Sequence, residues 1–356
     1  MEDLGLMGSL WNGRRVLVTG HTGFKGSWLC ALLLARGAEV HGLALAPDTE
    51  PALFDQLGLA SRMGHEIGDI RDAAHVAARI RAVRPQVILH LAAQPLVRRS
   101  YRDPIETWST NVMGTAHVLD ALRDWREPCA VVAITTDKVY ENREWEHPYR
   151  EDDPLGGHDP YSASKAGTEL VVQSYKRSFF SAGPVKLASA RAGNVIGGGD
   201  WAEDRILPDL ARTRARGETL GVRNAHAVRP WQHVLDPLAG YLLLAERLMA
   251  GDARAETGVN FGPEPSDQRS VGELVEAAGQ YWPGAWEDSS DPTAPHEAGR
   301  LMLSIERARH LLGWAPRWPF ARAVAETIGW YRDVAAGADP RALTEAQIAA
   351  FEAGAA

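Results

Sequence analysis

A glycine-punctuated turn near the N-terminus constrains this chain more than any other feature. Arg14–Thr19 (RRVLVT) is a short β-branched run, the pattern of a strand buried on both faces. Gly20–Gly26 (GHTGFKG) breaks it, Ser27–Arg36 (SWLCALLLAR) reads as a helix that Gly37 can stop, and Glu39–Leu45 (EVHGLAL) reads as a second strand. Strand, glycine loop, helix and strand in succession imply parallel strands joined by a right-handed crossover. Gly20, Gly23 and Gly26 are spaced G-x-x-G-x-x-G. Backbone N–H groups at a helix N-terminus can then approach a pyrophosphate, and side chains at those positions would obstruct the turn or the approach.

The alternation continues. Asp72–Val83 and Pro104–Trp125 have helical spacing, Gln86–Leu91 and Ala130–Thr135 are buried-strand runs, Tyr161–Phe180 is a long helix and Val185–Ala190 a further strand. The expected fold class is α/β, a Rossmann-type doubly wound parallel sheet with a smaller mixed C-terminal lobe. After Arg191 the rhythm degrades into a glycine-rich loop (Gly193–Trp201), shorter helices and a Pro/Trp-rich tract. Residues 10–192 are therefore expected to form the dinucleotide-binding domain, with room for later segments to return to it. Residues 193–335 mainly form the substrate-binding lobe, and 1–9 and 336–356 are terminal extensions, the Ala-rich tail fraying. The cleft between the lobes is the expected ligand site.

A net charge of −8 argues against a nucleic-acid partner. Two cysteines, Cys30 and Cys129, make neither a disulfide framework nor a Cys-rich zinc site, and fit a reducing compartment. The longest apolar run, Trp28–Ala35, falls far short of the ~20 residues that span a bilayer. Met1–Gly13 carries acidic residues and does not resemble a signal peptide. A cytoplasmic protein with no membrane partner is expected. The histidines, including His21 and His90, are not at metal-ligand spacing, so no metal is implied.

Several residues gather at strand ends. The second strand runs into Leu43–Pro47 with no acid before Asp48 and no arginine, which leaves NAD and NADP undecided on residues alone. Lys25 either touches a phosphate or is solvated. Asp69 either accepts a hydrogen bond from an adenine amine or caps the helix starting near Asp72. The small residues in Leu91-Ala92-Ala93-Gln94 either admit a cofactor against the backbone or simply close a loop. Tyr161 and Lys165, four apart on a helix, face the same way. A phenol with a pKa near ~10 is a poor base at neutral pH, and a neighbouring ammonium and a cationic nicotinamide would lower it. The pair therefore suits proton transfer beside a hydride acceptor. Thr135-Thr136-Asp137-Lys138 brings two hydroxyls, a carboxylate and an amine to one strand end. Alternation puts Thr136 and Lys138 on one side, unless the chain bends there.

Taken together, Gly20–Trp28 (GHTGFKGSW), Thr135–Asn142 (TTDKVYEN), Pro160–Lys165 (PYSASK), Arg191–Trp201 (RAGNVIGGGDW) and Arg229–Val234 (RPWQHV) resemble the nucleotide-sugar 4,6-dehydratases, members of the extended short-chain dehydrogenase/reductases. His296-Glu297-Ala298 and Leu312-Gly313-Trp314 fit as well, so the resemblance runs from about residue 10 to about 333. The glycine loop and the Tyr/Lys pair identify only the superfamily. Asp137-Lys138 and RPWQHV are more discriminating and resemble the branch that acts on CDP-glucose, whereas an Asp-Glu pair would resemble the dTDP-glucose branch.

The resemblance implies NAD as cofactor, held by Gly20, Thr22, Gly23, Phe24, Lys25, Gly26, Asp69, Ile70, Leu91, Ala92, Ala93, Asn111, Tyr161 and Lys165. It implies CDP-glucose as the small-molecule partner, contacted by Gln94, Asn194, Asp200, Arg205, Arg229, Gln232 and Arg300, with Arg229 at the diphosphate. Trp201 and Trp231 are candidates to stack on a pyrimidine. Tyr161 would be the base for the 4-hydroxyl, Thr136 would hold the 4-oxygen, Lys138 would remove the C5 proton and Asp137 would protonate the departing 6-hydroxyl. Lys165 would bind the nicotinamide ribose and lower the Tyr161 pKa. Enclosure would have to raise Asp137 and depress Lys138, although a neighbouring Asp–Lys pair prefers to be ionised. A homodimer through helices 104–125 and 161–180, or a higher homo-oligomer, is also implied. Two alternatives stand beside this. One is another member of the same superfamily, a dehydratase acting on a different nucleotide sugar or an epimerase, and an epimerase needs no acid–base pair for C5–C6 elimination. A non-catalytic NAD(P)-sensing protein needs no Tyr161, Lys165, Thr136 and acid–base pair together.

Overall fold

The computed structural model describes residues 10–290, 299 and 301–354. Six strands form its central sheet: β1 (Arg15–Thr19), β2 (Glu39–Leu43), β3 (Val87–His90), β4 (Cys129–Ile134), β5 (Val185–Ala192) and β6 (Gly258–Phe261). Their order is β6-β5-β4-β3-β1-β2, and every pair is parallel. The continuous apolar runs are explained by burial on both faces. Val16, Val18, Leu89 and Val132 enter one core, while Leu17, Ile88, Val131 and Leu187 enter the other. Side chains two apart share a face, so each strand supplies both cores.

The helices follow the same logic. We label them α1 (Phe24–Ala35), α2 (Ala73–Val83), α3 (Pro160–Tyr175), α4 (Leu235–Met249), α5 (Phe320–Ala335) and α6 (Pro340–Ala353). Asp72 caps α2 by accepting from the His75 N–H, and Asp159 caps α3 by accepting from the Ser162 N–H, with Pro160 opening the helix. The 104–125 stretch is not one continuous α-helix. It is α-helical over Pro104–Trp108, π-helical over Ser109–Met113 and α-helical again over Gly114–Asp120. A second π turn, Lys176–Phe180, follows α3. β4 ends at Ile134, and Asp137–Val139 is a 3-10 turn that Thr136 caps. Strand alternation therefore stops before Thr136, and the bend decides where Lys138 points.

Beyond β5 the chain builds a second lobe from short strand pairs. Leu220–Val222 pairs with Trp286–Asp288, and Val228–Arg229 pairs with Arg269–Ser270. Leu210, Val222, Leu274, Val324 and Ile328 form its core. The chain also returns to the sheet. β6 pairs with β5, and α4 packs into the core that holds Val132 and Ala190. The Ala-rich tail, expected to fray, instead forms α6. Asp339 caps it, and Ile348 and Phe351 are buried in the sheet's core. No helix among the described residues is long and apolar enough to cross a membrane.

Candidate active site

A cleft of about 1500 Å³ opens at the carboxyl edge of the sheet, where the strand order reverses between β1 and β3. The glycine loop forms one wall. Gly20 has φ +77°, and a Cβ there would stand 2.7 Å from the Ala92 nitrogen. A Cβ on Gly26 would stand 2.1 Å from the Gly20 carbonyl oxygen. The protein's own packing therefore demands these two glycines. Gly23 differs, since the nearest atom to its Cβ would be 3.5 Å away. It leaves room in front of the N-terminus of α1, where free N–H groups favour an anion. Thr22 Oγ1 donates to the Leu45 carbonyl at 2.9 Å and ties the loop to the end of β2.

Gly20, Thr22, Gly23, Phe24, Lys25, Gly26, Asp69, Ile70, Leu91, Ala92 and Ala93 all line this cleft. Asp69 accepts two bonds from the Arg71 guanidinium, at 2.8 and 2.6 Å, and these hold its carboxyl below the usual range. It is not a helix cap, because Asp72 has that position. Lys25 is not in bulk solvent. It donates to the Tyr241 hydroxyl at 3.0 Å, and burial, with help from Lys165 and Arg205, depresses its pKa to about 7.

The floor of the cleft carries the reactive groups. Tyr161, in the first turn of α3, shares a hydrogen bond with the Thr136 hydroxyl. Thr136 Oγ1 donates in turn to Asp137 Oδ1 at 2.9 Å. Asp137 is 1% exposed, and its Oδ2 has no hydrogen-bond partner among the described residues. A Cβ on Gly193 would lie 3.0 Å from that atom. A buried, unpartnered carboxylate oxygen calls for an explanation, and a position facing a ligand supplies one. Lys138 Nζ stands 3.6 Å from Asp137 Oδ1.

The expected lowering of Tyr161 rests on the nicotinamide cation as well as on Lys165. Burial pushes its phenol up to about 12, although the bond with Thr136 pulls the other way. Lys165 lies one helical turn further along α3. Its Nζ donates to the Ile134 carbonyl at 3.1 Å, and burial depresses its pKa to about 8, which weakens its hold on a proton.

Asn194, Asp200, Arg205, Arg229 and Trp231 line the wall opposite the glycine loop. Arg205 Nη1 donates to Asp200 Oδ2 at 2.6 Å, and Asp200 holds the guanidinium firmly charged. Asn194 Oδ1 is buried without a partner among the described residues. Arg229 is 8% exposed and donates to the Val228 and Gly299 carbonyls.

Other expected contact residues are turned away from the cleft. Gln94 Nε2 donates to the Leu96 carbonyl and to Thr107 Oγ1, and its Oε1 accepts from the Leu96 N–H. Asn111 Oδ1 accepts from the Gln94 N–H, while its Nδ2 donates to the Gln94 carbonyl and to Ser164 Oγ. Both amides brace the loop after β3 against α3, so the structure gives them a supporting place instead of a contact with ligand. Gln232 Nε2 donates to the Phe261 carbonyl. Trp201 packs edge-on against Tyr331 and donates to Gln56 Oε1, outside the cleft. Arg300 and His296-Glu297-Ala298 lie outside the described residues. Sequence gave no sign of Tyr241 as the partner of Lys25, since 216 residues separate them.

Comparison with known proteins agrees with this geometry. Residues 17–327 match the family described as GDP-mannose 4,6 dehydratase. The chain is 44% identical to CDP-glucose 4,6-dehydratase of Salmonella typhimurium over 350 residues, covering 96% of this chain and 97% of that protein. It is 33% identical to dTDP-glucose 4,6-dehydratase of Streptomyces griseus over 327 residues, covering 89% and 93%. Among solved structures, dTDP-glucose 4,6-dehydratase from Streptomyces venezuelae with NAD bound superposes with a TM-score of 0.77 at 28% identity, covering 92% of this chain and 99% of that one. UDP-glucose 4-epimerase of Thermotoga maritima also gives 0.77, at 21% identity, covering 90% and 99%, and shows a shared fold.

Proposed function

The chain belongs to the nucleotide-sugar 4,6-dehydratases of the extended short-chain dehydrogenase/reductases, and from that premise we propose that it converts CDP-glucose to CDP-4-keto-6-deoxyglucose and water. The observation that carries the reading is one cleft holding Tyr161, Thr136, Asp137 and Lys138 opposite the glycine loop, with an Asp137 oxygen buried and unpartnered. An epimerase has no use for that acid–base pair.

The residues present fit NAD. The cradle at Gly20 and Gly26 admits no side chain, and the space at Gly23 faces the N-terminus of α1. Gly20–Gly26, Asp69, Ile70, Leu91–Ala93 and Lys165 would hold the dinucleotide. When bound, NAD would supply a reversible hydride carrier, taking the hydride lost by C4 and giving it back to C6.

Proton transfer is left to the chain. Tyr161 takes the 4-hydroxyl proton while Thr136 holds that oxygen. The resulting ketone acidifies C5–H, and Lys138, as an amine, removes it. Asp137, as an acid, protonates the 6-hydroxyl, which departs as water. The proton on Lys138 then returns to C5. Balance requires the proton gained by Tyr161 to replace the one lost by Asp137, and the Tyr161–Thr136–Asp137 hydrogen bonds give it a route. Arg205 and Arg229 offer the positive charge a diphosphate needs.

Residues 10–192, with β6 and α4, would make up the NAD domain, and the rest of 193–335 the substrate lobe. A homodimer fits the exposed apolar side chains of helices 104–120 and 160–180. Ile105 (79% exposed), Met113, Leu170 (59%) and Phe179 lie there, and a symmetric helix pairing would cover them. Two buried, unpaired cysteines suit the cytoplasm.

A panel of CDP-, dTDP-, UDP- and GDP-sugars with product identification tests the reading. CDP-glucose should give the alkaline 4-keto chromophore and the 6-deoxy product. Preference for another nucleotide, or a C4 epimer as product, would overturn it.

A further inference from the structure

Behind the cleft floor, and reaching its surface at Thr135 and Tyr140, lies a polar network that the mechanism above does not use. Its centre is the ion pair of Glu169 on α3 with Arg191 on β5, which are 1% and 2% exposed. Arg191 Nε and Nη2 donate to the two Glu169 oxygens at 2.9 and 2.8 Å. Thr135 Oγ1 donates to Glu169 Oε1 at 2.6 Å, and Ser189 Oγ donates to Oε2 at 2.7 Å. Arg191 Nη1 donates to the Tyr140 hydroxyl at 2.8 Å, and Tyr140 passes the chain on to Asn260 Oδ1 on β6 at 2.7 Å.

The geometry of attachment is specific. Thr135 immediately precedes Thr136-Asp137-Lys138, and Tyr140 closes the 3-10 turn that carries them. Both ends of the acid–base turn therefore hang on one buried ion pair. Glu169 also lies one helical turn beyond Lys165 and two beyond Tyr161. We propose, resting on the dehydratase reading, that Glu169, Arg191, Thr135 and Tyr140 are positioning residues that set the elimination pair Asp137/Lys138 against the oxidation pair Tyr161/Lys165.

Two features favour positioning over bulk stability. A bidentate guanidinium–carboxylate pair fixes direction as well as distance. In addition, every Glu169 oxygen takes two donors, so small movements of the turn break bonds instead of sliding along them. Reacting groups misplaced by about 1 Å cost about 100-fold in rate.

Charge-removing variants of the ion pair risk misfolding, so the test uses its hydroxyl arms. Thr135→Val and Tyr140→Phe each delete one arm while keeping the side chain's shape, and Thr135→Ser restores the first. The NAD-loaded enzyme is mixed with CDP-glucose in single turnover, and absorbance of the reduced nicotinamide is followed. Thr135→Val and Tyr140→Phe should lower kcat about tenfold or more with KM within about twofold. Reduced nicotinamide should accumulate, because oxidation at C4 outruns elimination, and Thr135→Ser should recover most of the rate. Wild-type kcat in both deletions, or equal slowing of oxidation and elimination, would overturn the proposal. A wild-type enzyme inert towards every nucleotide sugar would instead overturn the dehydratase reading and this proposal with it.

Discussion

Asp137 Oδ1 and Lys138 Nζ lie 3.6 Å apart in a single 3-10 turn, yet the carboxyl is 1% exposed and the amine 25%. Neighbours in sequence thus meet different surroundings. Replacing Lys138 by Met should slow C5–H exchange with deuterated solvent by about 10²-fold or more and leave the first oxidation of C4 near its normal rate. Tyr161→Phe should block that oxidation itself while NAD still binds. NMR of the sugar and nicotinamide absorbance separate the two. Equal loss of both steps in Lys138→Met removes it as the C5 base.

Gly23 and Gly26 should respond in opposite ways to the same added methyl. At Gly26 the new Cβ meets the Gly20 carbonyl, so Gly26→Ala should destabilise the fold by about 1–3 kcal/mol or more, read from denaturant midpoints. At Gly23 φ is −77° and no protein atom is crowded. Gly23→Ala should therefore leave the midpoint unchanged and weaken NAD binding about tenfold, measured by titration calorimetry. A stable Gly23→Ala protein with full NAD affinity would move the pyrophosphate away from this loop.

The apolar strip on helices 104–120 and 160–180 sets a prediction for assembly. Ile105→Asp with Leu170→Asp puts two charges on residues now 79% and 59% exposed, so a lone subunit should fold normally. Sedimentation should show dimers for the wild type and monomers for the double variant. If both sediment alike, another face joins the subunits.

Acid should destabilise this protein early. Burial depresses His21 to about 4 and His90 and His233 to about 3, from an ordinary 6.5. Below pH 6.5 the unfolded chain takes up three protons that the folded chain refuses, so stability falls as pH falls. Asp236 opposes them, because burial raises it to about 7 from 3.8 and the folded state keeps its proton through that window. Burial raises Glu151, Asp209 and Glu246 as well, so these carboxyls oppose the histidines in the same sense as Asp236. Urea midpoints from pH 7 to pH 4 measure the slope. His233→Phe, among Trp28 and Trp318, should flatten it by roughly one proton's share, about 1.4 kcal/mol per pH unit. A slope that does not change would mean His233 is charged in the folded protein.

What the sequence shows is whatever depends on near neighbours. The β1–loop–α1–β2 unit and the Tyr161/Lys165 spacing are local patterns that stand where their periodicity puts them, and Thr135–Lys138 is a local cluster whose placement a 3-10 bend decides. What it hides depends on distant partners. Gln94 and Asn111 look like ligand-binding amides, but the Asn111 amide bonds to a loop and a helix 17 and 53 residues away, and the Gln94 amide to Leu96 and Thr107. Glu169 reads as an ordinary helical glutamate until folding brings Arg191 to it. The alanine-rich tail reads as weakly apolar until α1, α5 and the Trp318 ring give its helix something to bury against.

That last helix bears on how the protein is made. Phe351 and Ile348 complete the core that shelters Trp28, so a growing chain on the ribosome carries an uncovered greasy surface until residues 340–353 emerge. The β1–α1 unit is translated first but covered only once α6 follows. Stalled or prematurely terminated products should therefore be clients of chaperones and proteases, however complete their glycine loop.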